Sequence, residues 1–309
     1  MENKKIIIGS RGSKLALIYA ENAQKSIIKS NPGLNKNSFK VKIIKTKGDE
    51  NQTQRLSEIG GKGLFSKQIE TELLNKNIDI AVHALKDLPS VETKGLITDV
   101  YLQRNDPREV LISKNNINFN DLKNNSIIGT SSFRREAQIK KLRKDLITKL
   151  IRGNVDTRIK KLTENNYDAI VLAYAGVKAL LKEDEISHVF STEEILPSVG
   201  QGVIALQRRV DDNNINNIII KANHKETHLC ITAEREMLKV LEGDCQTAVA
   251  GYATIKKNNL FLKCELFSSD GKKNFTYSLE GNKNEAKEIG KKAGLNLISK
   301  AGDSYKVNK

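Results

Sequence analysis

Short apolar runs alternate with amphipathic stretches along the first two-thirds of the chain. A short apolar run between turn residues indicates a buried strand, whereas apolar positions three or four residues apart indicate a helix. The runs predict strands at Lys5–Gly9, Phe39–Thr46, Ile78–Ala84, Val110–Ser113, Ile127–Thr130, Leu150–Arg152, Ala169–Ala173 and Val203–Gln207. The stretches between them predict helices at Ser13–Lys29, Ser66–Asn75, Phe133–Lys144 and Val155–Glu164. This alternation predicts an α/β fold in which helices cover mixed sheets.

After about Lys221 the pattern changes. A helix is predicted at Leu229–Leu241 and a second from about Asn284 to Lys300. Three strands are predicted between them, at Val249–Ile255, Leu260–Phe267 and Phe275–Leu279, separated by the turn-forming pairs Asn258-Asn259 and Asp270-Gly271. This part of the chain is expected to form a smaller α/β domain with a three-stranded antiparallel sheet.

The predicted strands at residues 5–9 and 127–130 continue in a similar way. Each leads through a glycine and hydroxyl residues into a predicted helix, and Ser13 and Ser132 stand at the helix starts. A serine there can cap the helix, and the free N–H groups of a helix N-terminus can bind an anion. Ordinary capping explains either serine alone equally well, but the arginines near both favour an anion site.

Length and charge limit the classes of protein that the chain can belong to. Its 309 residues are enough for two or three domains. The first apolar run, Ile6 to Ile8, is far shorter than a signal-peptide core, and no run approaches a membrane span. Three cysteines cannot all pair within one chain. We therefore expect a reduced, cytoplasmic protein without a membrane partner.

Arginine is rare and concentrated in one region. The chain has 12 arginines against 40 lysines, and 5 of the 12 fall between Arg134 and Arg158. Arginine differs from lysine in its planar fork, which binds carboxylate or phosphate with two hydrogen bonds. The cluster predicts a pocket for a polyanion. A net charge of +15 also allows nucleic-acid binding, but the 5% aromatic content without Trp and the two tight arginine loops argue against a nucleic-acid partner.

Two further positions could carry chemistry. Cys264 alternates with leucines on one strand face, and Cys230 lies between apolar residues, so both are expected in the core. Cys245 stands in a polar loop, where an accessible thiol could be a nucleophile or an attachment point. Asp87 follows a predicted strand beside Lys86, at the end of a sheet where ligands gather, although a surface ion pair is the commoner outcome for such a pair.

A histidine-containing segment and a long polar loop complete the candidate features. His224, His228 and Cys230 lie close in sequence, but no fourth ligand or catalytic zinc spacing accompanies them, so no metal is expected. The polar, glycine-rich segment from Lys45 to Gly63 is long for a loop inside a compact domain, and we expect it to be a lid.

Seven stretches of the sequence, taken in order, resemble the porphobilinogen deaminase (hydroxymethylbilane synthase) family over essentially the whole chain. These are residues 11–16 (RGSKLA), 60–65 (GGKGLF), 81–89 (AVHALKDLP), 129–135 (GTSSFRR), 152–158 (RGNVDTR), 197–202 (PSVGQG) and the Cys245 loop. One such match would be weak, whereas seven in the right order are specific.

The resemblance implies an enzyme, a transferase of tetrapyrrole biosynthesis. The family joins four porphobilinogen molecules head to tail, releases ammonia at each step, and hydrolyses the chain to hydroxymethylbilane. Cys245 is implied to carry a dipyrromethane cofactor through a thioether bond, and Asp87 is implied to be the catalytic carboxylate. A carboxylate suits this chemistry because loss of ammonia leaves a cationic azafulvenium and the attacking pyrrole carbon must later lose a proton.

The resemblance also assigns the binding residues. Substrate and cofactor carry acetate and propionate groups, and the family positions that bind them are matched by Arg11, Arg134, Arg135, Arg152 and Arg158. Ser13, Lys86, Ser132 and Gln201 match positions that add hydrogen bonds, and Lys62 and Phe65 match the family's mobile loop. The chain has Ala179 where many members have an arginine, so one carboxylate contact is expected to be missing.

The family fold predicts three domains. Two lobes resemble the halves of a periplasmic binding protein and have mixed sheets, at residues 1–102 with 203–220 and at 106–198. Chain crossings are expected near Leu102–Arg108 and Leu196–Gly202, and a third domain at 223–309 carries the cofactor cysteine. The protein is expected to be a monomer. The alternative function is a non-catalytic two-lobed anion-binding protein, which would share the arginines but would not need Cys245 or Asp87.

Overall fold

The structure is a computed structural model that describes residues 5–46, 48, 63–164, 167–242 and 247–306. Its strands in this part of the chain are β1 (Ile6–Ser10), β2 (Phe39–Ile43), β3 (Ile80–Ala84), β4 (Leu96–Tyr101), β5 (Glu109–Ser113), β6 (Ile127–Gly129), β7 (Ile147–Lys149), β8 (Ala169–Ala173), β9 (His188–Val189), β10 (Ile204–Arg209), β11 (Val249–Lys256), β12 (Asn259–Phe267) and β13 (Asn274–Asn282). The α-helices are α1 (Lys14–Ser30), α2 (Lys67–Leu74), α3 (Phe133–Leu142), α4 (Val155–Glu164), α5 (Tyr174–Ala179), α6 (Asn213–Ile219), α7 (Lys225–Val240) and α8 (Ala286–Ala301).

The first two sheets have the same topology. The first has the order β2-β1-β3-β10-β4, with parallel pairing around β1 and antiparallel pairing around β10. The second has the order β7-β6-β8-β5-β9, with parallel pairing around β6 and antiparallel pairing around β5. Both antiparallel strands, β10 and β5, directly follow a chain crossing between the lobes. The weak similarity between residues 5–13 and 127–132 therefore reflects two lobes of one design, as predicted.

The third sheet is the predicted antiparallel one, in the order β11-β12-β13. Helices α7 and α8 cover it, and their apolar faces form one core with the sheet, in which Met237, Leu262 and Leu297 are almost completely buried. Each lobe has separate cores on its sheet. The strands of every sheet fall inside the predicted domain limits, although the limits themselves stay a prediction.

The two crossings lie side by side. Asn105 N donates to Gly202 O at 2.8 Å, and Leu102 N donates to Ile204 O at 3.0 Å. The side chain of Gln201 donates to Pro107 O at 2.7 Å. These bonds join the two segments that run between the first two sheets, at residues 102–108 and 196–202.

The element predictions were wrong at several places. The predicted strand at Leu150–Arg152 is displaced, because β7 ends at Lys149 and the following residues leave the sheet edge in a loop that carries Arg152 to the interlobe cleft. Strands β4 and β9 and helices α5 and α6 were not predicted. No helix in the described ranges is both long and apolar enough to cross a membrane.

Candidate active site

A cleft lies between the first two lobes beside the crossings. The first lobe contributes the start of α1 and the turn after β3, and the second contributes the N-terminal turn of α3 and the loop before α4. The charged side chains lining it, within the described residues, are five cations and one carboxylate: Arg11, Lys86, Arg135, Arg152, Arg158 and Asp87. A cleft of this composition attracts a polyanion strongly.

Asp87 lies on a short 3-10 turn, Leu85–Asp87, that directly follows β3. The turn takes Lys86 and Asp87 into the cleft, and Lys86 Nζ donates to Gln201 Oε1 at 3.2 Å. Burial lowers the pKa of Lys86 to about 8, with Arg135 acting in the same direction and Asp87 and Glu109 opposing it. Lys86 is therefore a partly desolvated cation. Lys86 and Asp87 both line the cleft, so they are not an ordinary ion pair on an open surface.

The arginines of the second lobe lie near the starts of two helices, α3 for Arg135 and α4 for Arg152 and Arg158. Ser132 caps α3, accepting from Arg135 N at 3.4 Å, and Arg135 lines the cleft. Gly153 has φ +117°, and the turn there lets Arg158 Nε donate to Gly153 O at 2.8 Å. Burial and the neighbouring charges of Arg135 and Arg152 lower the pKa of Arg158 to about 10. The cationic groups repel one another, and carboxylates bound between them would relieve that repulsion.

The first lobe places a cation and an aromatic ring at the mouth of the cleft. The Arg11 guanidinium carbon lies 4.1 Å from the centre of the Phe65 ring. Gly48 packs against the same ring, since a Cβ there would lie 2.3 Å from Phe65 Cε1. Ser13 lines the cleft too and caps α1, accepting from Ala16 N at 3.3 Å. Phe65 lines the cleft beside Arg11, and its role in a lid stays a prediction.

Two titratable side chains that line the cleft, Tyr19 and His83, were not predicted from the sequence. Tyr19 lies one helical turn after Leu15, and both line the cleft, so helical periodicity counted from Ser13 could have identified it. Burial raises the pKa of Tyr19 to about 12, and the Asp87 charge contributes in the same direction. His83, at the end of β3, is buried, which lowers its pKa to about 4, so its ring is neutral near pH 7.

Three of the predicted site residues do not line the cleft. Ser132 has its capping role, and Gln201, completely buried, lies behind Lys86. Arg134 is buried and uses its guanidinium internally, with Nη2 2.5 Å from Glu109 Oε1 and Nη1 donating to Leu196 O at 2.9 Å. Direct binding of substrate by these three residues stays a prediction.

The remaining predicted residues fall into three groups. Lys62 and Cys245 lie outside the described residues. Cys230 and Cys264 are buried as predicted, and burial raises the pKa of both thiols to about 12. His224 caps α7, accepting from Thr227 N at 3.2 Å, and His228 Nδ1 lies 3.0 Å from Asp99 O, so both imidazoles have structural roles.

The donors of the cleft suit a dipyrromethane carrying acetate and propionate groups. Arg135 is buried at the wall, and its Nε has no hydrogen-bond partner among the residues that the structure describes. A buried donor of this kind requires an acceptor, and a carboxylate provides one. Ala179 is absent from the lining and Lys178 is exposed, so neither supplies the missing arginine contact.

Comparison with known proteins gives one consistent result. The family described as "Porphobilinogen deaminase, dipyromethane cofactor binding domain" matches residues 6–217, and "Porphobilinogen deaminase, C-terminal domain" matches residues 228–299. The porphobilinogen deaminase of Syntrophomonas wolfei is 42% identical over 295 residues, which are 96% of this chain and 95% of the relative. That of Coxiella burnetii is 40% identical over 304 residues, 98% of this chain and 97% of the relative. Among solved structures, the methionine-binding protein MetQ aligns with a TM-score of 0.43 and 12% identity, covering 71% of this chain and 89% of that one.

Proposed function

This chain belongs to the porphobilinogen deaminase family, and we propose that it catalyses the hydroxymethylbilane synthase reaction, joining four porphobilinogen molecules with loss of ammonia and hydrolysing the product. The observation that carries the proposal is the placement of Asp87 among five cationic side chains in one cleft. Cations alone would serve an anion-binding protein. A carboxylate among them weakens anion binding and is explained by a reaction that develops positive charge.

We assign carboxylate binding to the side chains that line the cleft. Arg135, Arg152 and Arg158 on the second lobe, with Arg11 and Lys86 on the first, would hold the acetate and propionate groups of substrate and cofactor. When bound, the dipyrromethane supplies the pyrrole carbon to which the first substrate is joined. The match of residues 6–217 to the cofactor-binding domain family supports the cofactor itself, and Cys245, within the range that matches the family's C-terminal domain, is the proposed attachment point.

Asp87 is proposed to act on the reacting pyrroles. Its carboxylate can stabilise the cation that forms when ammonia leaves, and it can accept the proton that the attacking carbon loses. The surrounding cations bind the acidic side groups and leave the pyrrole nitrogens to Asp87. Phe65 and Lys62 are proposed to close over the cleft and exclude water. We further propose that the protein works in the cytoplasm as a monomer.

Intact mass tests the cofactor assignment. The purified chain, incubated with porphobilinogen if its host supplies none, should carry an adduct of two pyrrole units that Cys245→Ser lacks. Cys264→Ala is the matched control, because that thiol is buried in the third domain, and it should keep the adduct. A wild-type mass equal to the bare sequence after incubation would contradict the assignment.

Turnover tests the role of Asp87. Asp87→Asn keeps the shape of the side chain and should reduce product formation from porphobilinogen by about a hundredfold or more, the usual contribution of a positioned acid or base. Asp121→Asn, at an exposed position outside the cleft, should have normal activity. Normal turnover by folded Asp87→Asn would refute the proposed role.

A further inference from the structure

Glu109 is a buried carboxylate that the family resemblance does not assign to the site. It is the first residue of β5, directly after the first crossing, and it is completely buried. Its two oxygens contact different arginines: Oε1 lies 2.5 Å from Arg134 Nη2, and Oε2 lies 2.8 Å from Arg135 Nη2. A buried anion between two cations holds both guanidinium groups in fixed positions.

The two arginines connect Glu109 to different parts of the protein. Arg135 lines the cleft and is fixed a second time by donating from Nη1 to Val171 O at 2.9 Å. Arg135 Nη2 is held by an ion-pair contact with Glu109 Oε2 that lacks hydrogen-bond geometry, and Arg135 Nε has no hydrogen-bond partner in the described part of the chain. Arg134 extends away from the cleft and donates to Leu196 O in the second crossing. Gln138 also bonds Leu196, donating to its carbonyl at 3.1 Å and accepting from its N–H at 2.7 Å.

We propose that Glu109 is a positioning residue that orients Arg135 on the cleft wall and, through Arg134, ties this wall to the second crossing at Leu196. The proposal rests on the proposed function for its readout in turnover, but the geometry stands without it. Arg135 and Leu196 are thereby linked through one carboxylate. A movement of the crossings would therefore shift Arg135 through Arg134 and Glu109.

Glu109 also acts electrostatically on Lys86. Burial alone would raise the pKa of Glu109, but Arg135, Arg134 and Lys86 hold it at about 2, so the carboxylate is charged throughout the neutral range. The charged groups that set the pKa of Lys86 are, besides its own burial, Arg135, Asp87, Glu109 and Arg134. Glu109 is one of the two anions in that set. Neutralising it should therefore make Lys86 easier to deprotonate.

Glu109→Gln tests the proposal with two measurements on the holoenzyme. The KM for porphobilinogen should rise about 10- to 100-fold, since a small misplacement of a binding group has effects of this size. The pH profile of Lys86 acetylation, followed by peptide mass, should move to lower pH than in the wild type. Glu70→Gln is the matched control: Glu70 is a buried carboxylate outside the cleft, hydrogen-bonded to Thr93 and Gln207, and its loss should change neither quantity.

A second comparison covers the case in which Glu109→Gln does not fold. Arg134→Gln leaves the Glu109–Arg135 pair intact, whereas Glu109→Gln with Arg134→Gln removes one buried charge of each sign. The double variant should have a KM about tenfold higher than that of Arg134→Gln, because only the double variant removes the Glu109 contact and leaves Arg135 held by Val171 O alone. Equal KM values would overturn the proposal.

The two proposals fail in distinguishable ways. If the wild type forms no hydroxymethylbilane, the proposed function fails, and the Lys86 profile still decides whether Glu109 acts on the cleft. If the wild type is active and Glu109→Gln matches it in KM, only the positioning role is overturned. An unchanged Lys86 profile in Glu109→Gln would overturn the electrostatic effect of Glu109 on Lys86, whereas the KM comparison decides the positioning role.

Discussion

Arg104 and Glu234 form a two-pronged ion pair between the first crossing and helix α7 of the third domain. Arg104 Nη1 and Nη2 donate to Glu234 Oε1 and Oε2 at 2.7 and 2.8 Å, and the Glu234 side chain is completely buried. Arg104 Nε donates to Gln201 O at 3.0 Å, and Gly200 N donates to Glu234 Oε2 at 2.8 Å. One ion pair therefore joins the third domain to both crossings.

Glu234→Gln should destabilise the protein strongly. It leaves Arg104 buried opposite a neutral partner, and breaking a buried pair in this way typically costs about 3–5 kcal/mol. Urea unfolding measures the loss. Glu185→Gln, which breaks the more exposed Lys182–Glu185 pair, should cost about 1 kcal/mol or less. A loss from Glu234→Gln no larger than from Glu185→Gln would contradict the importance of the buried pair.

Arg134→Lys should impair the enzyme although it keeps the positive charge. Lysine has no planar fork and cannot contact Glu109 and Leu196 O together, so we expect a loss of about 1–3 kcal/mol in stability and a raised KM for porphobilinogen. Unfolding and steady-state kinetics measure the two effects. Lys140→Arg, whose exposed side chain pairs with Glu136 on the same helix, is the control and should leave both unchanged. If KM rises in Arg134→Lys without any loss of stability, Arg134 binds the ligand directly.

The adjacent residues Arg134 and Arg135 show where prediction from sequence stops. Periodicity predicted the strand–helix alternation and the third domain, and the arginine cluster predicted an anion pocket, because these are local properties, whereas the two-lobed design was implied by the family resemblance. Which of two neighbouring arginines faces the cleft depends on how α3 packs on its sheet, which is a long-range property. Both were predicted to bind carboxylates, yet only Arg135 lines the cleft.

Glu109 and Tyr19 were missed for different reasons. Glu109 stands 25 residues before Arg134, and nothing in the sequence near it signals that its carboxylate is buried between two arginines. Tyr19 could have been found, because it lies one turn after Leu15 on a helix whose start was already assigned to the site. The position of strand β7 was predicted wrongly for a third reason: an edge strand of three residues is too short to show a hydrophobic pattern.

Substrate binding should weaken as the pH rises through about 8. Burial and Arg135 lower the pKa of Lys86 to about 8, so its ammonium is lost above that pH, and the KM for porphobilinogen should rise there. Lys86→Arg keeps its charge and should hold a low KM to higher pH. A KM that rises equally in both proteins would exclude Lys86 as the cause.

The effect of Lys86 on folding stability has the opposite sign. Because the unfolded chain binds the Lys86 proton more tightly than the folded protein does, Lys86 destabilises the fold below about pH 8, and this penalty disappears as the pH rises.

Tyr19→Phe should lower kcat. With a pKa raised to about 12, the Tyr19 hydroxyl stays protonated and can donate a hydrogen bond to a substrate bound in the cleft at every working pH. Loss of one such bond corresponds to about a 3- to 10-fold fall in kcat. Tyr174→Phe is the control, because its hydroxyl contacts Glu183 on an exposed surface. Equal kcat values for the wild type and Tyr19→Phe would show that the hydroxyl takes no part.

Gly202→Ala should disturb the contact between the crossings. Gly202 has φ +79°, and a Cβ there would lie 2.6 Å from Asn105 O, a backbone atom of the other crossing. Alanine would therefore add backbone strain to a steric clash, with a combined cost of roughly 2–4 kcal/mol in the free energy of unfolding. Gly271→Ala is the matched control, with φ +70° but no atom within 4 Å of its Cβ, and it should cost only about 1 kcal/mol. Urea unfolding of both variants separates the two contributions. An equal loss in the two proteins would mean that the crossings separate easily enough to accommodate the methyl group.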